Sequence, residues 1–277
     1  MQKIPVVVPR YNGEENVESL ANAIIEHFTK NLQEYNNEIL FVDNLFKDSI
    51  RNVICRMCKN NKHIKAIFNA QNFGQFNSPY YALLQQTGDC AILMCANFQG
   101  PAEMISEFVH AWEQEYKLVI GRKSSSKEKK SVCVPCSTHH RFMKKYSNAN
   151  FIEHYTGFEQ YNKDFIDILR RIDNLPPYLR GIVAKTGYKV KVVDYEQQKR
   201  KGGKSSNNIL SLYDASITSI TAYTKIGIRA FVLLDLILAL FFASALIGLA
   251  IYWLLSDGTF DPGILPLFLG IYLICSI

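Results

Sequence analysis

The sequence predicts an α/β domain with a mostly parallel sheet, followed by membrane helices. Three observations predict it. Short apolar runs alternate with amphipathic helical patterns from residue 4 to residue 121, and such alternation builds parallel strands joined by right-handed crossovers. The chain has 277 residues, of which 48% are apolar and 12% aromatic, enough to fill a sizeable core. Near the carboxyl end, Phe231 to Leu255 is about 25 residues of apolar sequence with Asp235 as its one charge, long enough to cross a bilayer.

The elements follow in order. Ile4 to Pro9 is a β-branched strand. Asn12 caps a helix, with Glu15 completing a capping box, and Val17, Leu20, Ile24 and Phe28 form its buried stripe. Strands follow at Glu38 to Val42 and Ile64 to Phe68, with a helix through Arg51 to Lys59 between them. Ser78-Pro79 opens another helix, with proline in its first turn. Cys90 to Met94 is a strand, Pro101 to Trp112 a helix, and Lys117 to Gly121 a strand. The stretch 122 to 150 has no clean period and reads as loop plus helix. Lys163 to Arg171 is a helix and Lys189 to Tyr195 a strand. Asn208 to Arg229 is mildly amphipathic, suited to lying on a membrane surface. The expected organisation is residues 1–206 as a cytoplasmic domain, 207–229 as a juxtamembrane helical region, 230–255 as a first span and 263–277 as the start of a second. That second apolar run, roughly 14 residues from Ile264, is too short to cross, so the chain reads as a fragment of a longer protein. No amino-terminal signal peptide is evident. Lys225 and Arg229 before the first span place the large domain in the cytoplasm.

The net charge of +6 is concentrated. Arg122, Lys123, Lys127, Lys129, Lys130, Arg141, Lys144 and Lys145 face only Glu128, and residues 199 to 204 read Lys-Arg-Lys-Gly-Gly-Lys. Such clusters suit anionic partners, and the apolar run after them favours lipid phosphate over nucleic acid. A nucleic-acid binder would explain the charge but not the span. The seven cysteines sit in a reducing compartment on this reading, which argues against a disulfide framework. Cys55/Cys58 and Cys133/Cys136, with His139 and His140 nearby, have pairwise ligand spacing. The pairs are about 75 residues apart, so ordinary buried thiols are expected.

The chain is organised around Ile92-Leu93-Met94-Cys95-Ala96-Asn97-Phe98-Gln99-Gly100-Pro101, a buried strand running into a polar loop. In an α/β sheet, the loop at the carboxyl end of a central strand is where ligands bind. The pieces around it are Val-Val-Val-Pro-Arg-Tyr-Asn-Gly-Glu-Glu-Asn at 6–16, Phe-Val-Asp-Asn at 41–44, Asn-Phe-Gly-Gln at 72–75, Gly-Asp at 88–89, Thr-Gly-Phe at 156–158, Arg180-Gly181 and Arg200-Lys-Gly-Gly-Lys-Ser205. Together, and in this order, they resemble the family 2 glycosyltransferases, and more narrowly the polyprenyl-phosphate glycosyltransferases of the dolichol-phosphate and undecaprenyl-phosphate types.

The resemblance implies a GT-A fold, a Rossmann-like nucleotide-sugar-binding domain. It implies inverting transfer of a sugar from a UDP or GDP sugar to a polyprenyl phosphate at the cytoplasmic membrane face, for cell-envelope glycan or glycoconjugate assembly. Asp43 would accept from the base edge, and Pro9, Tyr11 and Glu15 would line base and ribose. Glu15 serves equally well as a capping residue. Gln71, Cys95, Asn97 and Gln99 complete the nucleotide-sugar set. The family places Mg²⁺ or Mn²⁺ on an Asp-x-Asp motif, which here reads Cys95-Ala96-Asn97, so Asn97 is a degenerate metal position. The family loop's next acidic position is Gly100. Gly13, Phe46, Gln71, Glu159 and Asn162 also depart from the pattern. An asparagine carbonyl holds a hard cation more weakly than a carboxylate does. A lipid phosphate is already anionic and needs no strong base, but the leaving group still needs positive charge. Arg122, Lys123, Arg200 and Lys204 are the candidates for binding the lipid phosphate, and Asn97, Arg200 and Lys204 for catalysis. The alternative for these cations is a solvated, lipid-facing surface.

Three functions remain in play: a working or weakened polyprenyl-phosphate glycosyltransferase, a non-catalytic nucleotide-sugar-binding partner subunit, and a processive polysaccharide synthase. The last is disfavoured because Gln-x-x-Arg-Trp is absent and the only tryptophans are Trp112 and Trp253. A homo-oligomer held through membrane helices is compatible with the resemblance.

Overall fold

The computed structural model describes residues 1–10, 17–44, 50–94, 100–126, 143, 146, 152, 155–172, 178–197, 209–255, 263 and 265–275. The chain divides into two compact units, Met1–Ala222 and Tyr223–Ile277.

The first unit is a seven-stranded sheet. Its strands are β1 (Lys3–Arg10), β2 (Asn36–Asp43), β3 (Ile64–Phe68), β4 (Cys90–Leu93), β5 (Leu118–Ser126), β6 (Tyr155–Asn162) and β7 (Val190–Gln197), in the order β3-β2-β1-β4-β6-β5-β7. β1 pairs in parallel with β2 and β4, β2 with β3, and β5 with β7. β6 runs antiparallel between β4 and β5. The sheet is therefore mostly parallel, as the alternation predicts, with one reversed strand that the sequence reading did not anticipate.

Helices α1 (Val17–Asn31), α2 (Ile50–Asn60), α3 (Gly74–Gln85), α4 (Met104–Glu113), α5 (Lys163–Arg171) and α6 (Leu179–Thr186) cover the sheet. β1 shows why both faces are covered. Val6 and Val8 join one core with Leu20, Ile24, Ile54 and Phe108, while Val7 joins the other with Leu83, Phe165 and Ile182. A strand buried on both faces reads as an unbroken apolar run, and Ile4 to Val8, with Pro5 the one break in its aliphatic sequence, is such a run.

Three local expectations are corrected. α3 begins at Gly74, not at Ser78, so Pro79 lies inside the helix. α4 begins at Met104, and Pro101 starts the turn that leads into it, with its carbonyl accepting from Met104 N–H at 3.2 Å. The expected buried thiol at Cys55 is exposed on α2, while Cys58 is half-buried and Cys90 buried. The Gly88-Asp89 piece is structural. A Cβ at Gly88 would meet Pro5 and the Lys3 carbonyl, and Asp89 accepts from Lys3 N–H at 2.8 Å. This pins the start of β4 to the start of β1.

Helix α7 (Ile209–Tyr223) ends the first unit, with Tyr213 and Ile217 exposed one turn apart and Ser219 buried. In the second unit, α8 (Ile226–Leu255) is a 30-residue apolar helix with no buried residue. It is the one helix among the described residues long and apolar enough to cross a membrane. It starts four residues before the expected span, because Arg229 N–H bonds the Lys225 carbonyl at 3.0 Å and carries the helix back through the basic pair. The shorter α9 (Leu265–Cys275) packs on it, with Phe242 stacked on Tyr272 at 5.3 Å between ring centroids.

Candidate active site

The carboxyl ends of β1, β2, β3, β4 and β5 meet at one edge of the sheet, and of the predicted nucleotide-sugar residues Pro9, Asp43 and Gln71 lie there among the described residues. Asp43 ends β2, is 1% exposed, and pairs in register with Arg10 on β1 and Phe68 on β3. Its Oδ2 accepts from Arg51 Nε at 2.6 Å. Arg51 in turn donates to the Asn69 carbonyl at 3.1 Å and lies over the Phe68 ring at 5.4 Å. The salt bridge thus uses one carboxylate oxygen. The other, Asp43 Oδ1, and the amide Nδ2 of buried Asn69 have no partner among the described residues. A buried acceptor and a buried donor left without partners are costly unless something binds them. The edge of a nucleobase offers both an N–H and a carbonyl.

Asn44 ties this edge to the next loop. Its Oδ1 accepts from Phe73 N–H at 2.8 Å and its Nδ2 donates to Asn72 Oδ1 at 2.6 Å, while Asn72 Oδ1 also accepts from Gly74 N–H at 2.8 Å. Gly74 has φ +81°, a conformation that disfavours side chains. The Asn-Phe-Gly piece therefore shapes the loop before α3, and Gln71 is exposed on it. Pro9 is half-buried beside Val42.

Residues 95–99 of the organising loop lie outside the described residues, as do Tyr11, Glu15, Arg200 and Lys204. So do Cys133, Cys136, His139 and His140. Both ends of the loop are described. Met94 N–H bonds the Val7 carbonyl at 2.9 Å. Gly100 sits on Phe158 of β6, and a Cβ there would fall 2.6 Å from Phe158 Cδ1. Phe158 is itself wedged against Phe108 at 4.8 Å and Tyr195 at 6.2 Å between centroids. The acidic position of the family loop is thus closed to any side chain. Gly100→Asp is expected to cost about 2 kcal/mol through overpacking without strengthening Mn²⁺ binding, as checked by thermal unfolding and metal titration.

Among the described residues no three His, Cys, Asp or Glu side chains converge as a metal site. Asn97 lies outside the described residues, and an amide oxygen holds a hard divalent cation more weakly than a carboxylate does.

On β5, Arg122 grips Asp194 of β7 through Nε at 2.6 Å and Nη2 at 2.8 Å. This pair holds the Asp194 carboxyl below its usual range and commits much of the charge assigned above to a lipid phosphate. Lys123 is half-buried beside it.

The sequence reading missed several groups at this edge. Arg51 and Asn69 had no role in it, although Arg51 lies only eight residues beyond Asp43. Glu159 entered only as a departure from the family pattern. It is 2% exposed, on the face of β6 that meets α6. Burial pushes its carboxyl up to about 7, against the opposing pull of the Tyr155 hydroxyl and the Arg180 guanidinium. Arg180 lies over the Tyr155 ring at 5.1 Å.

Residues 6–187 match the family described as Glycosyl transferase family 2. The chain is similar to the prophage bactoprenol glucosyl transferase homolog of Escherichia coli, 23% identical over 86% of this chain and 77% of that protein. It is also similar to the putative glycosyltransferase CsbB of Bacillus subtilis, 22% identical over 82% and 68%. Among solved structures, it resembles glucosyl-3-phosphoglycerate synthase from Mycobacterium tuberculosis in complex with Mn²⁺, UDP and phosphoglyceric acid. The TM-score is 0.55 at 14% identity, covering 80% of this chain and 76% of that one. The fold is of the GT-A type, and the chain belongs to glycosyltransferase family 2.

Proposed function

We propose that this glycosyltransferase moves a hexose from a nucleoside diphosphate sugar, UDP-linked in preference to GDP-linked, to a polyprenyl phosphate. The observation that carries the donor half is that Asp43 Oδ1 at the end of β2 and Asn69 Nδ2 just after β3 have no partner among the described residues. With Oδ2 committed to Arg51, the site presents one acceptor and one donor. This matches the N–H and neighbouring carbonyl of uracil. Guanine offers two donors to a carboxylate with only one oxygen to spare.

The acceptor half is supported by the relatives named bactoprenol glucosyl transferases and by the long apolar helix α8. A phosphate oxygen of the lipid attacks the anomeric carbon in line with the departing nucleoside diphosphate, which inverts the configuration. The nucleophile is already anionic, so the demand falls on cations beside the leaving group. α8 would anchor the enzyme in the plasma membrane, with α9 as the start of a second pass, and with the domain on the cytoplasmic side where nucleotide sugars are made. Asn97 is the residue that would hold a divalent cation, which would supply positive charge to the leaving diphosphate.

The closed position at Gly100 favours a second reading, a nucleotide-sugar-binding partner subunit with little turnover. The deciding experiment supplies membranes bearing the full chain with undecaprenyl phosphate and a panel of labelled UDP and GDP hexoses. Label from one UDP sugar in the lipid fraction supports transfer. UDP binding without labelled lipid supports the partner subunit. Neither binding nor transfer overturns both.

A further inference from the structure

The face of the sheet between β6 and α6 buries a charge that the core does not need. Around Glu159 lie Leu93 and Ile120, its register partners on β4 and β5, and the apolar cluster of Leu83, Phe165 and Ile182. The polar groups facing it are Tyr155 on its own strand and Arg180 at the start of α6. Tyr178 hydrogen-bonds Arg180 from the residue before that helix, and Phe76 of α3 packs edge-on against Tyr178 at 5.4 Å. Glu159 Oε2 has no partner among the described residues. A buried carboxylate with an arginine is commonly no more stable than apolar side chains of the same volume, so fold stability alone is a weak reason for it.

Its location supplies a better reason. Glu159 sits opposite Leu93, directly before the loop 94–100, and Tyr155 sits opposite Arg122 of β5, two residues beyond the Glu159–Ile120 pair. Arg180 is half-buried over the ring of that Tyr155. The loop residue Asn97 is neutral by sequence, and Arg122 on β5 is paired with Asp194. A guanidinium held by a carboxylate and stacked on an aromatic ring is preorganised for a phosphate. Because burial raises Glu159 to about 7, it is not a full counter-charge near neutrality.

We propose that Arg180 contacts a phosphate in the transfer site, and that Glu159, with Tyr155, is the positioning residue that aims its guanidinium. The inference rests on the glycosyl-transfer reading. The phosphate belongs either to the departing nucleoside diphosphate or to the lipid acceptor, and the test separates the two.

UDP and farnesyl phosphate are titrated calorimetrically into the full chain in detergent, as wild type, Arg180→Lys, Glu159→Leu, Glu159→Gln and the double variant Arg180→Lys/Glu159→Leu. Arg180→Lys and Glu159→Leu are each expected to weaken one probe about tenfold and leave the other within about twofold. The double variant is expected to be no weaker than either single one, since both act on one contact. Glu159→Gln keeps the acceptor oxygen and is expected to restore binding to within about threefold. Loss of UDP binding assigns Arg180 to the leaving group, and loss of farnesyl phosphate binding assigns it to the acceptor. Unchanged binding of both probes by Glu159→Leu or by Arg180→Lys overturns the proposal. So does parallel weakening of both probes together with a fall in melting temperature, which marks a structural role only. Failure of the wild type to bind either probe overturns the glycosyl-transfer reading instead.

Discussion

Asp43→Asn is expected to weaken UDP binding about a hundredfold, ~2.7 kcal/mol, measured by calorimetry. The carboxylate accepts from Arg51 through Oδ2, and on the proposed reading its Oδ1, without a partner among the described residues, would accept from the base. An amide has one oxygen. Whichever way it turns, its NH₂ meets either the Arg51 guanidinium or the N–H of the base. A buried donor set against a donor costs both its lost bond and its desolvation. The effect on folding should be much smaller, because the Arg51 side chain is 39% exposed and water can take over part of its role. Arg51→Gln is the matching control. It leaves the Asp43 carboxylate intact, so its loss of UDP affinity should be about tenfold at most. Equal losses in the two variants would mean that Asp43 acts only by anchoring Arg51.

Phe158→Ala is expected to destabilise the domain by about 3–5 kcal/mol in denaturant unfolding. Phe158 is 3% exposed and fills the space under Gly100, beside Gly121, Phe108 and Tyr195. Removing the ring leaves a cavity directly below Gly100, where the loop re-enters the described fold. UDP affinity should therefore fall along with stability, and Phe158→Leu, which refills most of the volume, should recover the larger part of both. Loss of stability with unchanged UDP affinity would separate the loop from its floor.

Much of this was legible from residue types alone. The alternation of Ile4–Val8, Val17–Phe28 and Ile39–Val42 fixes a parallel sheet, because strands buried on both faces must be apolar throughout and their helices must be amphipathic. The position of the ligand edge follows from that topology, and Asp43 lies where the reading put it. β6 was not legible. It is antiparallel, it carries Gly157, and it buries Glu159 and Gln160 on its two faces, so neither alternation nor hydrophobicity marks it. Arg122 was assigned by its charge, and its partner Asp194 lies 72 residues away, visible only once β5 and β7 are paired. Asn69 and Arg51 were missed for the same reason, since their roles exist only around the Asp43 carboxylate. The proline of α3 misled through a sound rule: proline favours a first turn, but here the Asn44–Asn72–Gly74 hydrogen bonds start the helix earlier.

The central claim is that residues 94–100 form the leaving-group end of a glycosyl-transfer site whose hold on metal is weakened by a neutral side chain at Asn97, a residue outside the described set. The most direct measurement is calorimetric titration of UDP with and without Mn²⁺, on wild type and on Asn97→Asp. A restored carboxylate should raise the Mn²⁺-dependent gain in UDP affinity about tenfold or more over the modest gain of the wild type. If wild type and Asn97→Asp show the same dependence on Mn²⁺, the loop does not meet the diphosphate and the account is wrong.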